Sequence, residues 1–309
     1  MTDHINAVEN ALRQVPEFRN IDVSADKVTR LGGMTNLVFK VQLPKQNIIV
    51  RIPGKGTEDY IDRAVELNNA TAAAKAGVSA NILWADANSG IMISECIEDI
   101  QTMTPELFAT TTGSPARAAK AFKQLHQSGQ SFDFRFELFS MIDDYLNVLD
   151  GKDTNLPEGY AEIVKSAQPV KAVLSEIEIA LAPCHCDPLC ENFLDDGKRM
   201  WIVDWEYSGM NDPMWDLGDL SVESGFTAVQ DTEMMNAYFD GNPTRADFGR
   251  MVIYKAMCDL LWTLWGLIQH ADKNPAEDFW QYAVNRFERC KKLMNSPEFH
   301  QHLDAVRQS

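Results

Sequence analysis

The chain has 309 residues, 45% of them hydrophobic, which suffices for about two domains with a substantial core. Its 45 acidic residues outnumber 28 basic ones, giving a net charge of −17, and no stretch concentrates lysine and arginine. A nucleic-acid or anionic-membrane partner is therefore not expected, whereas a cation is drawn toward such a body over roughly 10 Å. Met1-Thr2-Asp3-His4 lacks the basic-then-apolar order of a secretion signal, and the most apolar segment, Leu260 to Ile268, is shorter than the ~20 residues of a membrane span. A cytoplasmic protein is the expectation. The six cysteines then read as reduced thiols. Cys184, Cys186 and Cys190 crowd His185 in a way that raises zinc, but no second Cys or His pair stands at finger-like spacing, so small buried residues around a loop are the better reading.

Lys27 to Leu31, Leu37 to Leu43 and Ile48 to Ile52 are short β-branched runs separated by Gly32-Gly33 and Pro44-Lys45-Gln46-Asn47, and predict a small antiparallel sheet. A helix is expected from about Glu58 to Ala76, with Thr57 as N-cap and Gly77 as stop. Strands at Ile82 to Ala85 and Ile91 to Ile97 follow, parted by Asn88-Ser89-Gly90. Beyond Ile97 the texture turns helical: Thr104-Pro105 and Ser114-Pro115 each pair a cap with a first-turn proline. Without repeats or a long linker, the chain divides into an N-terminal lobe, residues 1–97, and a helical lobe, residues 98–309, packed as one unit.

The segment from Leu181 to Tyr207 carries the chemistry. His185-x-Asp187-x-x-x-x-Asn192 is followed by two apolar runs around Asp195-Asp196-Gly197-Lys198, and then by Asp204. The Asp-Asp-Gly turn predicts a hairpin that returns Asp204 to the neighbourhood of Asn192. This spacing matches the catalytic loop and metal aspartate of phosphoryl-transferring kinases. Asp187 can orient an acceptor hydroxyl and take its proton, while the hard oxygens of Asn192 and Asp204 suit Mg²⁺ on nucleotide phosphates. His185 belongs to the same constellation, with bracing of the loop its ordinary role.

ATP must also be held. Gly32-Gly33-Met34-Thr35-Asn36 lies between strands, where glycines let backbone approach phosphate and Thr35 and Asn36 can donate hydrogen bonds, although such a loop standing alone would be a plain hairpin turn. Arg51 can stand for the usual phosphate-binding lysine, with Glu66 fixing it. Gly54-Lys55-Gly56-Thr57 is not a P-loop, since Ile49 stands where glycine is needed. Glu95 to Ile97, ending the fifth strand, is where a hinge would meet adenine. Further on, Glu206, Tyr207, Glu223, Trp262 and Trp265 are the residue types of an acidic, aromatic cage for an ammonium, although two tryptophans at helical spacing are as a rule core.

From about Val28 to Gln269 the chain resembles the choline/ethanolamine kinase family: His185 to Asn192 and Val203-Asp204-Trp205-Glu206-Tyr207 match its catalytic and metal motifs, and Gly32-Gly33-x-Thr35-Asn36 and Arg51-x-Pro53-Gly54 match its nucleotide lobe. The resemblance implies an α+β, two-lobed protein-kinase-like fold, with ATP and Mg²⁺ as cofactors. It implies Asp187 as base, Asn192 and Asp204 as Mg²⁺ ligands, and Glu206, Tyr207, Glu223, Trp262 and Trp265 as the acceptor pocket, which turns the tryptophans from core into ligand. The implied substrate is a small amino alcohol, choline first, with ethanolamine, thiamine or an aminoglycoside as alternatives and a non-catalytic choline-binding module as the reading from another class. A monomer or homodimer is expected. Cys186 and Cys190 depart from the family's usual loop residues.

Overall fold

In the computed structural model, which describes residues 2–21, 24–32, 36–54 and 61–309, the chain opens on a helix, α1 (Thr2–Gln14). Val8, Ala11, Leu12 and Val15 recur at helical spacing and form one apolar stripe, buried with Phe39, Val41, Ile48, Val50 and Ile93 of the sheet. The strand-first reading of this region omits α1, whose one signal is that stripe.

The sheet itself has five strands, β1 (Val28–Arg30), β2 (Asn36–Gln42), β3 (Asn47–Pro53), β4 (Ile82–Asp86) and β5 (Ile91–Glu95), in the order β1-β2-β3-β5-β4. All neighbours are antiparallel. The β4–β5 turn needs Gly90: its φ is +68°, and a Cβ there would stand 2.6 Å from the Pro53 ring.

Between β3 and β4 runs α2 (Arg63–Lys75), shorter than expected. Thr57 and Glu58 lie outside the described residues, and the described helix is capped by Asp62, whose carboxylate accepts from the amides of Ala64 and Val65. Asp62→Ala is expected to lower stability by about 1 kcal/mol in urea titration, the usual loss of an N-cap. Gly77, with φ +75°, follows the helix's end.

The rest is mostly helical. Thr104 caps α3 (Pro105–Thr110), accepting from the Leu107 amide. In α4 (Ser114–His126) the cap is Gly113 rather than Ser114, because the Ser114 hydroxyl donates instead to the Phe108 carbonyl. Short strands β6 (Gln101–Thr102), β7 (Ala182–Cys184), β8 (Phe193–Asp195), β9 (Met200–Ile202) and β10 (Gly209–Asn211) carry the loops of interest. The core also takes residues from helices at Leu138–Asp150, Tyr160–Ser166, Gln168–Glu176 and Pro297–Arg307, and the four that bear on the site are α5 (Pro213–Glu223), α6 (Ala228–Tyr238), α7 (Arg245–Ala271) and α8 (Phe279–Met294). By length and composition α7 could cross a bilayer, in contrast to the short apolar segment expected at 260–268, but 78% of its apolar window is buried inside the protein. α2 and the turn after it are tied to the second region by polar contacts: Ile202 of β9 donates to the Val78 carbonyl, and Asn69 of α2 donates to the Ser208 carbonyl.

Candidate active site

The loop between β7 and β8 is held from beneath by α5. Asp216, wholly buried in the first turn of that helix, accepts the His185 amide at 2.8 Å and the Cys186 amide at 2.9 Å. Its Oδ2 also lies 3.0 Å from His126 Nε2. Trp215 Nε1 donates to the Cys186 carbonyl at 3.1 Å. Gripped on both sides, Cys186 adopts φ +66°, a left-handed conformation costly for a residue with a Cβ and sustained by the surrounding bonds. No motif spacing points to Asp216. Its signal was an acidic residue inside the apolar run Met214-Trp215-Asp216-Leu217.

The β8–β9 hairpin pairs Phe193 with Ile202 and Asp195 with Met200. Val203 continues it by donating to the Asn192 carbonyl at 3.0 Å, which sets Asp204 beside Asn192. Asn192 Nδ2 in turn donates to the Asp187 carbonyl at 3.1 Å. Asp187, Asn192 and Asp204 therefore converge. Burial, then the charges of Glu223 and Asp204, push the Asp187 carboxyl up to about 8. Asp204, at φ +68°, is likewise raised, by burial and by Glu206.

His185 does not share that opening. Its ring is fully buried, Nε2 donates to the Val203 carbonyl at 2.9 Å, and burial depresses its basicity. Grouped with Asp187 as catalytic from the motif, it is by its placement a positioning residue that ties the loop to the strand entering Asp204.

An ionic cluster fills the junction with the sheet. Arg51 on β3 hydrogen-bonds Glu66 of α2 and lies 3.7 Å from Asp204 Oδ1 and 3.8 Å from Glu206 Oε1. Arg63 bridges Glu66 at 2.8 Å and Glu206 at 2.5 Å, and Asn36 Nδ2 donates to Glu206 at 3.0 Å. Glu206, expected in the acceptor pocket, has its charge engaged by two arginines, since buried guanidinium groups require a nearby anion. Asn36, expected to face phosphate, spends its amide on the same carboxylate. Arg51 Nε and Nη2 and Asp204 Oδ1 are buried with no hydrogen-bond partner among the described residues. Unsatisfied donors beside an unsatisfied carboxylate oxygen fit an anionic phosphate with its divalent cation.

Gly32 is exposed, whereas Gly33 and Thr35 lie outside the described residues. Glu95 exchanges bonds with Asn81, its amide donating to the Asn81 carbonyl and its carboxylate accepting from Asn81 Nδ2. Half-buried Ile97 follows, on the way to β6.

The remaining acceptor candidates do meet. The Tyr207 and Trp262 rings are 5.6 Å apart, edge to face, and Trp262 and Trp265 are 6.3 Å apart and perpendicular. Tyr282 of α8, unassigned from sequence, stands 5.8 Å from Trp265. Glu223 is bound in a fork by Arg286, at 2.5 and 2.9 Å, and that guanidinium stacks on Tyr282 at 4.5 Å. Tyr282 and Arg286 are four apart on one helix face, the local signal that could have found them.

An antiparallel sheet followed by a helical body, with an Asp-Asn loop and a returning aspartate at their junction, defines a phosphotransferase of the protein-kinase-like fold. The family model for choline/ethanolamine kinases matches residues 28–249, and the chain belongs to that family. It is similar, with a TM-score of 0.91 and 55% identity over 99% of both chains, to a choline/ethanolamine kinase family protein from Mesorhizobium loti. Choline kinase LicA from Streptococcus pneumoniae is similar at a TM-score of 0.78 and 27% identity, covering 94% of this chain and 99% of that one. Protein LicA of Haemophilus influenzae is 25% identical over 275 residues, 85% of this chain and 78% of its own. The protein is thus a kinase that phosphorylates the alcohol group of an amino alcohol, using a nucleotide as donor.

Proposed function

We propose that the protein transfers the γ-phosphoryl of ATP to the hydroxyl of choline, with ethanolamine as the weaker acceptor. The observation that carries this reading is the commitment of the pocket's carboxylates. Glu223 has both oxygens on Arg286, and Glu206 is engaged by Arg63, Arg51 and Asn36. A primary ammonium entering from water needs acceptors to replace its lost hydrogen bonds, whereas a trimethylammonium donates none and is held by ring faces. Tyr207, Trp262, Trp265 and Tyr282 offer those faces.

Asn192 and Asp204 would hold Mg²⁺, which when bound neutralises charge on the phosphates. Arg51, fixed by Glu66, would turn its unpartnered N–H groups to the phosphate oxygens. Asp187 would orient the hydroxyl and accept its proton as the new P–O bond forms. At about 8 the carboxyl would be mostly protonated at neutral pH with the site empty, and cations arriving beside Asp204 and Glu223 would lower it toward the carboxylate that accepts the proton.

Coupled ADP release with choline, ethanolamine, thiamine and an aminoglycoside tests the reading; turnover of ethanolamine above choline would overturn the preference. Trp262→Ala is expected to raise KM for choline about tenfold to thirtyfold, with kcat changed less, as loss of a desolvated cation–π contact requires.

A further inference from the structure

Arg63 takes the first position of α2, and its side chain is 9% exposed. A Cβ added at Gly90 would stand 3.0 Å from its Cδ and Nε, so the stem lies directly against the β4–β5 turn. From there Nη1 reaches two carboxylates, Glu66 Oε2 at 2.8 Å and Glu206 Oε1 at 2.5 Å. The first is on its own helix, and the second is two residues beyond Asp204.

The two arginines divide these anions unevenly. Glu66 gives one oxygen to each, Oε1 to Arg51 and Oε2 to Arg63. On Glu206 a single oxygen, Oε1, accepts from Arg63 and, at 3.0 Å, from Asn36, while Arg51 Nη1 stands off at 3.8 Å. The Glu206 side chain is only 5% exposed, so its charge needs a cation supplied by the protein. Without Arg63, the guanidinium within reach of that oxygen is Arg51. Arg51 is also the group whose Nε and Nη2 have no hydrogen-bond partner among the described residues. A pull from Glu206 on Arg51 therefore competes with phosphate for the same guanidinium.

Building on the reading of Arg51 as the holder of phosphate, we propose that Arg63 is a positioning residue for nucleotide binding, which by pairing with Glu206 keeps Arg51 available to the phosphates. Arg63 acts through the carboxylate and not by touching nucleotide. Its removal matters because Glu206 remains, and that dependence separates this role from plain support of the fold.

Calorimetric binding of ADP with Mg²⁺ to the whole protein, without an acceptor, tests this in a double-mutant cycle. Arg63→Met is expected to weaken ADP about tenfold when Glu206 is present, and less than about threefold in a Glu206→Gln background, where no charge remains to draw Arg51 away. Adenosine, which lacks phosphate, is expected to lose less than about threefold in either background. Equal losses of ADP with and without Glu206, equal losses of ADP and adenosine, or no loss of ADP overturns the inference. Arg63→Gln, which removes the charge but keeps a donor, goes through the same cycle with the same expected values and serves if Arg63→Met fails to fold. Arg51→Met separates the inference from the reading beneath it: ADP is expected to weaken at least about tenfold in both Glu206 backgrounds. If Arg51→Met binds ADP as tightly as wild type, the assignment of Arg51 to phosphate fails and the inference with it. If Arg51→Met weakens ADP but the Arg63 cycle lacks its contrast, the inference alone is overturned.

Discussion

Replacing Asp187 by Asn is expected to lower kcat by about a hundredfold to ten-thousandfold, the span of general-base contributions, with KM for ATP changed less than about threefold. The amide preserves shape but cannot take the hydroxyl proton. The loop should keep its course, because its bonds run through backbone: Asp216 holds the amides of His185 and Cys186, and Asn192 holds the Asp187 carbonyl. Single-turnover rates of phosphoryl transfer measure the chemical step, and nucleotide binding followed by calorimetry checks the rest. A variant retaining a tenth of wild-type kcat would remove Asp187 from the role of base.

Arg286→Leu is expected to lower the unfolding free energy by about 3–5 kcal/mol in denaturant titration, the usual consequence of leaving buried partners uncompensated. Arg286 is 6% exposed and joins Glu223 in a fork to Asp259, itself 1% exposed. Asp259 keeps Arg289, through bonds of 2.7 and 2.5 Å, so the uncompensated charge falls mainly on Glu223. That carboxylate then turns toward the acceptor seat. The same variant should therefore narrow the proposed preference for choline over ethanolamine, because a free carboxylate would offer a primary ammonium an acceptor. Stability within about 1 kcal/mol of wild type would show that the fork contributes little.

What could be read from sequence was what lies close in sequence. The five strands are legible because β-branched runs are punctuated by Gly, Pro and Asn, and their observed limits fall within about two residues of the expected ones. The convergence of Asn192 with Asp204 is legible because a short hairpin returns the chain. Asp216, Tyr282 and Arg286 are different: a local pattern marks each of them, but the group each one meets lies on an element far away in sequence, and no spacing names that partner. Glu206 shows the converse. Its residue type fitted a cation cage, but Arg51 and Arg63 on other elements compete for its charge, and only tertiary packing decides which cation it meets.

The first turn of α5 grips the loop of His185 and Cys186 through Asp216, and its last residue, Glu223, stands at the proposed ammonium seat. Seven helical steps separate them, roughly 10 Å at the standard rise. A helix packed along α7 is a rigid gauge, so under the proposed roles the gap between the Asp187 carboxylate and the cation's resting place is set by backbone geometry. Changes to the pocket lining can retune which charged group is preferred, yet the length of the alcohol that bridges the two ends stays fixed by the helix.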